Sequence, residues 1–331
     1  MCDRPICQDG QVRPRYSVVV PVCNEEAALP ELHRRLTLVM ESLGDGYEVV
    51  FIDDGSSDGS FSLLVEIARR DPAVVVIKLS RNFGHQIALT AGLDYARGEA
   101  VITMDADLQH PPELIPRLVG EWQQGYQVVY GVRTFTEAEG LLKRWTSRTF
   151  YALLQRLSDT EISPAAPDFR LLDRAAVDTL RTVRERNRFL RGLVGWVGYR
   201  QKAVPFTEAA RYGGVTKYSW RAMFRLAVDA IVSFSTVPLR LVTYLGLLVS
   251  LLSFVYAVYV LWARLFTDRA VPGWASITVA LLTLAGAQLI GLGIIGEYIG
   301  RIYEESKQRP LYVIERVVRS ETVTSSGPPP G

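Results

Sequence analysis

The chain has 331 residues, 48% of them hydrophobic, and a formal net charge of +2. That length suffices for a buried catalytic core plus an appended module, and the near balance of charge gives no bulk attraction for nucleic acid. The three cysteines, Cys2, Cys7 and Cys23, have neither the number nor the spacing of a disulfide framework or a zinc site, which points to a reducing, cytoplasmic setting.

Residues 1–15 read as a polar N-terminal extension, and the first apolar run, 17–22, is too short for a secretory signal. From 16 to about 132, short runs rich in Val and Ile (17–22, 47–52, 73–79, 100–104 and 126–130) alternate with stretches of helical spacing such as 26–43 and 60–69. Continuous apolar strands separated by helices predict a mostly parallel sheet covered on both faces, a doubly wound α/β domain. Ligands of such sheets gather beyond the carboxyl ends of the strands. Those ends carry Asn24, Glu25 and Glu26, then Asp53 and Asp54, then Arg81 to Gly84, then Asp105-Ala106-Asp107.

The last of these is the most telling. Two carboxylates one residue apart at the end of a buried strand present hard oxygen ligands to a divalent cation, Mg²⁺ or Mn²⁺, and Gln109 can add a neutral oxygen. Pro111, Pro112 and Glu113 then start a helix. The run from Asp53 to Ser60 supplies acceptors for base or ribose donors, while Asp58 or Ser60 can equally serve as a helix cap. His33, His85 and His110 are too dispersed for a histidine metal site, and His110 is expected to support the Asp107 loop.

After this core the pattern changes. Segments at about 141–157 and 217–235 interleave basic residues with aromatic and aliphatic ones, as expected of helices lying in a headgroup layer, although surface helices packed on the domain would read similarly. Transmembrane helices are expected at 238–262 and 272–299, since the stretches 241–262 and 271–296 carry no charge. The short link between them implies a hairpin. Arg221, Arg225, Arg240, Arg301, Lys307 and Arg309 outside it, against Arg264 and Arg269 within it, place the catalytic domain and both termini in the cytoplasm. Residues 300–331 read as a cytoplasmic tail with a disordered end, and glycines of the second span such as Gly286 and Gly293 suggest a homo-oligomer.

Three motifs, from Val18 to Glu26, from Asp53 to Ser60 and from Asp105 to Glu113, together resemble the successive motifs of family 2 glycosyltransferases with the GT-A fold. Within that family the chain is similar to polyprenyl-phosphate glycosyltransferases, the group of the bactoprenol glucosyltransferases and dolichyl-phosphate mannose synthase. The resemblance covers about 16–218 and implies a GT-A domain over 16–216. It implies that Pro21, Glu25 and Asp53 line the nucleoside, that Asp105, Asp107 and Gln109 form the metal cradle under the diphosphate, that Asp105 and Ala106 also bind the donor, and that Arg133 contacts a donor phosphate. It assigns Lys143, Ser147, Arg211, Thr216 and Lys217 to the acceptor phosphate. Where mannose synthases carry Ser-Gly-Phe-Arg, this chain has Pro167-Asp168-Phe169-Arg170, which makes Asp168 a candidate sugar or acceptor contact.

The implied reaction is inverting, metal-dependent transfer of one sugar to a polyprenyl phosphate, with UDP-glucose and undecaprenyl phosphate the expected pair and GDP-mannose or another UDP-sugar the alternative donor. A phosphomonoester, with a second pKa near about 6, is already largely dianionic at neutral pH, so Asp168 is expected to orient reactants rather than remove a proton. Arg211 is expected to act in catalysis, since Gly213 and Gly214 beside it give a backbone able to wrap a phosphate; binding of anionic headgroups is the plainer reading. A processive polysaccharide synthase is disfavoured because Leu141 stands where such enzymes usually carry Gln before Arg-Trp, here Arg144-Trp145. A non-catalytic membrane subunit is disfavoured by the intact acidic set.

Overall fold

The computed structural model describes residues 13–133, 168–186, 188–207, 237–266 and 273–320. They fall into two units, the first holding the described residues before the long helices together with the segment from Pro310 onward, the second holding the helices themselves.

Unit one is built on β1 (Tyr16–Val22), β2 (Tyr47–Asp53), β3 (Val74–Leu79), β4 (Ala100–Thr103), β5 (Val128–Arg133), β6 (Arg170–Asp173), β7 (Gln201–Phe206) and β8 (Ile314–Val318), in the order β7-β5-β6-β4-β1-β2-β3-β8. β1 is buried at all seven positions, and its alternating side chains serve two cores. Val18 and Val20 pack with α1 (Leu29–Ser42), α2 (Ser60–Arg70) and α4 (Ile115–Gln123). Val19 packs with α3 (His85–Tyr95), α5 (Arg174–Thr182) and α6 (Leu190–Trp196). The close fit of α3 depends on Gly92, where an added Cβ would lie 2.2 Å from Val19 Cγ1. The far end of α3 is tied down by Arg181, which donates to the carbonyls of Leu93, Asp94 and Ala96, meeting the orphan acceptors of a helix C-terminus.

The centre, β4-β1-β2-β3, is parallel. The flanks make the sheet mixed while leaving it mostly parallel, as expected: β7 runs parallel to β5, whereas β6 runs antiparallel to both β4 and β5, and β8 antiparallel to β3. Because β6 reverses direction beside β4, pairing Thr103 with Arg170, its entry lies at the carboxyl end of β4. That reversal brings Asp168 to the rim that carries Asp105. A correction concerns the tail: residues 314–318, inside the segment read as a cytoplasmic tail, form an edge strand of the domain's own sheet.

Unit two consists of α7 (Val237–Phe266) and α8 (Trp274–Ser306), of 30 and 33 residues. They meet at Gly291, where an added Cβ would sit 3.2 Å from Val242 Cγ1. Among the described residues, Thr283–Ser306 is long and apolar enough to cross a membrane, and Val242–Tyr256 is a shorter apolar stretch. Leu251, Phe254, Leu289 and Ile302 on these helices are exposed. The segments 141–157 and 217–235, expected to be interfacial helices, lie outside the described residues.

Candidate active site

The rim is knitted from the loops after β1, β2, β3 and β4. Asn24, at φ 59, accepts from the Ser57 N–H through Oδ1 (2.8 Å), and the Glu25 N–H donates to Ser60 Oγ (3.0 Å). This zipper explains why α1 starts at Leu29 rather than at residue 26: the intervening residues face the β2 loop. Asp54 ties in the β3 loop, accepting from the N–H groups of Phe83 (2.7 Å) and Gly84 (3.0 Å). Gly55, at φ +69, permits this approach, since a Cβ there would lie 2.5 Å from the Asn82 nitrogen.

Pro21 is buried within β1 and Glu25 is half-buried just beyond it. Asp53 ends β2 fully buried; Oδ1 accepts from the Ser56 N–H, while Oδ2 has no hydrogen-bond partner among the described residues. Burial pushes its carboxyl above the ordinary 3.8. A buried acceptor with nothing to accept is an opening for a ligand's donor.

The loop after β4 holds the acidic pair. Ala106 is buried, Asp107 is 8% exposed and accepts from the Gln109 N–H (3.1 Å), and Asp105 keeps a buried Oδ1 with no hydrogen-bond partner among the described residues. Leu108 takes φ 61, a backbone state that costs a leucine about 1–3 kcal/mol; burial of its side chain in the core helps hold it there. His110, fully buried and stacked on Phe169 at 5.1 Å, accepts the Asp105 N–H through Nδ1. The expected support for the loop is thus present, at Asp105.

Asp168 is 2% exposed, and its backbone carbonyl accepts from Thr103 Oγ1 (2.6 Å). Its carboxylate is heavily engaged: Oδ1 with Arg191 Nε (3.1 Å), Oδ2 with Arg191 Nη2 (3.0 Å), Gln86 Nε2 (3.1 Å) and His85 Nε2 (3.3 Å). Burial alone would raise this carboxyl; Arg191 and His85 outweigh it and hold it well below the usual range. The same His85 nitrogen lies 3.4 Å from Asp105 Oδ1, so one imidazole bridges the two acidic centres. Arg170, fully buried on the other side at 3.7 Å from Asp168, has its pKa lowered by burial to about 10.

The structure therefore gathers Pro21, Glu25, Asp53, Asp105, Ala106, Asp107, Gln109 and Asp168 on or beside one rim. Arg133 ends β5. Lys143, Ser147, Arg211, Thr216 and Lys217 lie outside the described residues. Sequence reasoning missed the contacts by which His85, Gln86 and Arg191 reach Asp168 across 83, 82 and 23 positions of chain; His85 and Gln86 stood out only as the end of the run Arg81 to Gln86, which follows an apolar strand and resembles the bactoprenol branch.

An α/β sheet with polar groups gathered past the carboxyl ends of its parallel strands is that of a ligand-binding α/β enzyme. Residues 17–181 match the model of glycosyl transferase family 2, and residues 237–302 match that of the GtrB C-terminal hairpin. The chain is 47% identical over 302 residues to an uncharacterized glycosyltransferase, YkcC, of Bacillus subtilis (strain 168), covering 91% of this chain and 94% of that one. It is 43% identical over 301 residues to a bactoprenol glucosyl transferase of Shigella phage SfV, covering 91% and 98%. Glucosyl-3-phosphoglycerate synthase from Mycobacterium tuberculosis, solved with Mn²⁺ and uridine diphosphate, is a distant structural likeness at 20% identity and TM-score 0.44, over 66% of this chain and 79% of that one. The chain is a glycosyltransferase and belongs to glycosyl transferase family 2.

Proposed function

We propose that the enzyme transfers one glucosyl residue, with inversion, from UDP-glucose to undecaprenyl phosphate at the cytoplasmic face of a bacterial membrane, using Mg²⁺ or Mn²⁺. The observation that carries this reading is the Asp105–Asp107 loop, with a buried carboxylate oxygen that accepts no hydrogen bond among the described residues, in a chain similar along most of its length to a bactoprenol glucosyl transferase.

The residues fit a divalent cation of a particular kind. Among the described residues no group of three or more His, Cys, Asp or Glu could hold a metal alone, so Asp105, Asp107 and Gln109 would share the ion with diphosphate oxygens. Mg²⁺ is commonly bound that way, through one or two carboxylates plus substrate phosphates. When bound, the ion stabilises the negative charge that grows on the departing nucleotide. Asp53 and Glu25, with Pro21, would receive the nucleoside, and Arg133 a donor phosphate. Lys143, Ser147, Arg211, Thr216 and Lys217 would serve the acceptor side. Asp168, with both oxygens committed to cations and an amide, suits an orienting role and not that of a base.

Connectivity supports a hairpin anchor. The chain builds β1 to β7 before α7 and α8, then returns as β8 to pair with β3 in the same sheet. Two strands of one sheet lie on one side of a bilayer, so the intervening helices cross an even number of times. A single crossing by Thr283–Ser306 does not satisfy this count, which favours two crossings, with the glycine-bearing α8 offering close contact to α7 or to a second copy.

The test is direct. Membranes containing the full chain are given undecaprenyl phosphate and radiolabelled UDP-glucose, with and without EDTA. A solvent-extractable lipid-linked glucose that vanishes on chelation and returns with Mg²⁺ or Mn²⁺ is the expected result; undiminished product under chelation, or no lipid product from any nucleotide sugar, refutes the proposal.

A further inference from the structure

We infer that His85 takes hold of the transferred sugar, through a hydrogen bond to one of its hydroxyls. The inference deepens the reading of function above, on which it rests, and gives a role to a side chain that the assignments at this rim leave without one.

His85 is rigidly mounted. It opens α3, directly after Gly84, whose φ of 99 suits glycine and whose N–H is held by Asp54 Oδ2 at 3.0 Å. The Gly84 carbonyl in turn accepts from the N–H groups of Ile87 and Ala88, both at 3.0 Å. Gln86, the next residue, is tied at both ends of its amide: it donates to Asp168 Oδ2 and accepts the Leu190 N–H at 3.0 Å. The helix end that carries His85 is therefore fixed to the β2 loop on one side and to the Asp168 segment on the other. A side chain that recognises a ligand needs such support.

Two carboxylates define where a sugar fits. His85 Nε2 lies 3.4 Å from Asp105 Oδ1 and 3.3 Å from Asp168 Oδ2. Glycoside hydrolases set two carboxyl groups about 5–9.5 Å apart around one anomeric centre, and two oxygens that share one nitrogen at these distances stay within the upper limit of that span. A sugar diphosphate seated at the Asp105–Asp107 loop, with its sugar extending toward Asp168, thus passes across the imidazole between them. His85 is also the most open of the three, its side chain 43% exposed against 30% for Asp105 and 3% for Asp168.

The chemistry of the ring selects a hydroxyl. Both carboxylate contacts use Nε2, which therefore carries a proton and leaves the rest of the exposed ring, Nδ1 included, for a ligand. A neutral imidazole accepts at Nδ1 and a charged one donates there. A sugar hydroxyl, both donor and acceptor, satisfies either form, whereas a phosphate oxygen satisfies only the second.

The experiment titrates the full-length chain in detergent micelles with UDP and with UDP-glucose by calorimetry, in the presence of Mg²⁺ and without acceptor, for wild type, His85→Ala and His85→Gln. UDP carries the nucleoside and the diphosphate but no sugar, so its binding certifies a folded site in each variant. The expected result is a Kd for UDP-glucose raised about three- to tenfold in His85→Ala, as for loss of one hydrogen bond, with partial recovery in His85→Gln and a Kd for UDP within about twofold of wild type throughout. A second arm uses monodeoxy analogues of UDP-glucose, each lacking one hydroxyl. One of them is expected to lose about the same factor against wild type and nothing further against His85→Ala, the signature of a direct pair. Equal weakening of UDP and UDP-glucose would mean that His85 serves the Asp105 cradle and not the sugar. That result, unchanged binding of both, or deoxy analogues that each lose the same factor against both proteins overturns the inference and leaves the proposed function standing. Should the wild type form lipid-linked sugar only from another nucleotide sugar, the proposed donor fails, and the same titrations with that donor and its free nucleotide decide the role of His85. A wild type that binds no nucleotide sugar sinks both readings.

Discussion

His110 holds Asp105 by its backbone: the Asp105 N–H donates to Nδ1 of His110 at 3.1 Å, under a ring stacked between the sheet and the acidic loop on Phe169. A neutral imidazole accepting at Nδ1 carries its proton on Nε2, so the ring cannot be replaced by a simple hydrophobe without freeing the loop. His110→Phe keeps the stack and loses the bond. It is expected to melt within a few degrees of wild type while needing about tenfold more Mn²⁺ for half-maximal transfer. His110→Ala removes the packing too and is expected to cost about 2–4 kcal/mol of stability. Thermal denaturation and metal titration of the transfer assay check both; an unchanged metal requirement in His110→Phe would show that the bond does nothing for the cradle.

Asp53 sets function against stability. Burial raises its pKa, so folding favours the protonated carboxyl. The sign follows: this group's contribution to stability is greatest in acid, falls as pH climbs from the ordinary value of 3.8 through the raised one, and is a net cost at neutral pH. Asp53→Asn removes the cost while its amide oxygen can still accept the Ser56 N–H. The variant is expected to be more stable than wild type at pH 7 by about 1 kcal/mol, with the gain shrinking toward pH 4, and to bind UDP at least about tenfold more weakly. Melting curves across pH and UDP titration measure the two effects; a variant equally stable at all pH values would refute the assignment.

The parallel centre of the fold was readable because β1 to β4 are buried on both faces and so appear as unbroken apolar runs. The acidic rim was readable for the same reason, since polar clusters at the ends of such runs must sit at one edge of the sheet. Of the flanking strands only β5 was, as the run 126–130; β6, β7 and β8 were not. β6 is only Arg170 to Asp173, with charge at both ends, and β7 alternates exposed and buried positions as an edge does. β8 follows two long apolar helices, where its Glu315 and Arg316 read as part of a solvated tail. Asp168 was recognisable as a departure from the residue the mannose synthases carry, but its contact with Arg191 was not, because α6 is seven residues long and Arg191 sits on it with no local pattern to announce a partner 23 positions away.

β8 makes the end of the chain part of the catalytic domain. Glu315 pairs with Lys78 of β3 at 2.9 Å, and the Tyr312 hydroxyl donates to Asp94 at 2.8 Å, where Arg184 also binds. A chain ending at residue 309 would keep both long helices and expose the edge of β3, a template for pairing with other chains. It is expected to lose about 3–5 kcal/mol of domain stability from the buried Val318 and the half-buried Tyr312 and to aggregate on overexpression. Tyr312→Phe removes one hydrogen bond and is expected to cost about 1 kcal/mol. Urea denaturation of the detergent-solubilised proteins compares them; full stability in the truncated chain would mean that β8 is a dispensable edge.

Under the proposed hairpin anchor, the same strand predicts a membrane topology that can be read with single cysteines. In a background where Cys2, Cys7 and Cys23 are replaced by Ser, three variants are made: Gln124→Cys just past α4, where the chain is exposed, Ser320→Cys just past β8, and Thr267→Cys between α7 and α8. Because β8 and β1 share a sheet, Gln124 and Ser320 must lie on one side of the bilayer, and two crossings put Thr267 on the other. A membrane-impermeant thiol reagent applied to intact cells is expected to label position 267 and to reach 124 and 320 only after permeabilisation. Labelling of 320 without 124 would contradict the pairing of β8 with β3. Protection of all three until lysis would mean that α7 and α8 do not cross at all, and the acceptor would then have to reach the rim from the surface of the membrane rather than beside a spanning hairpin.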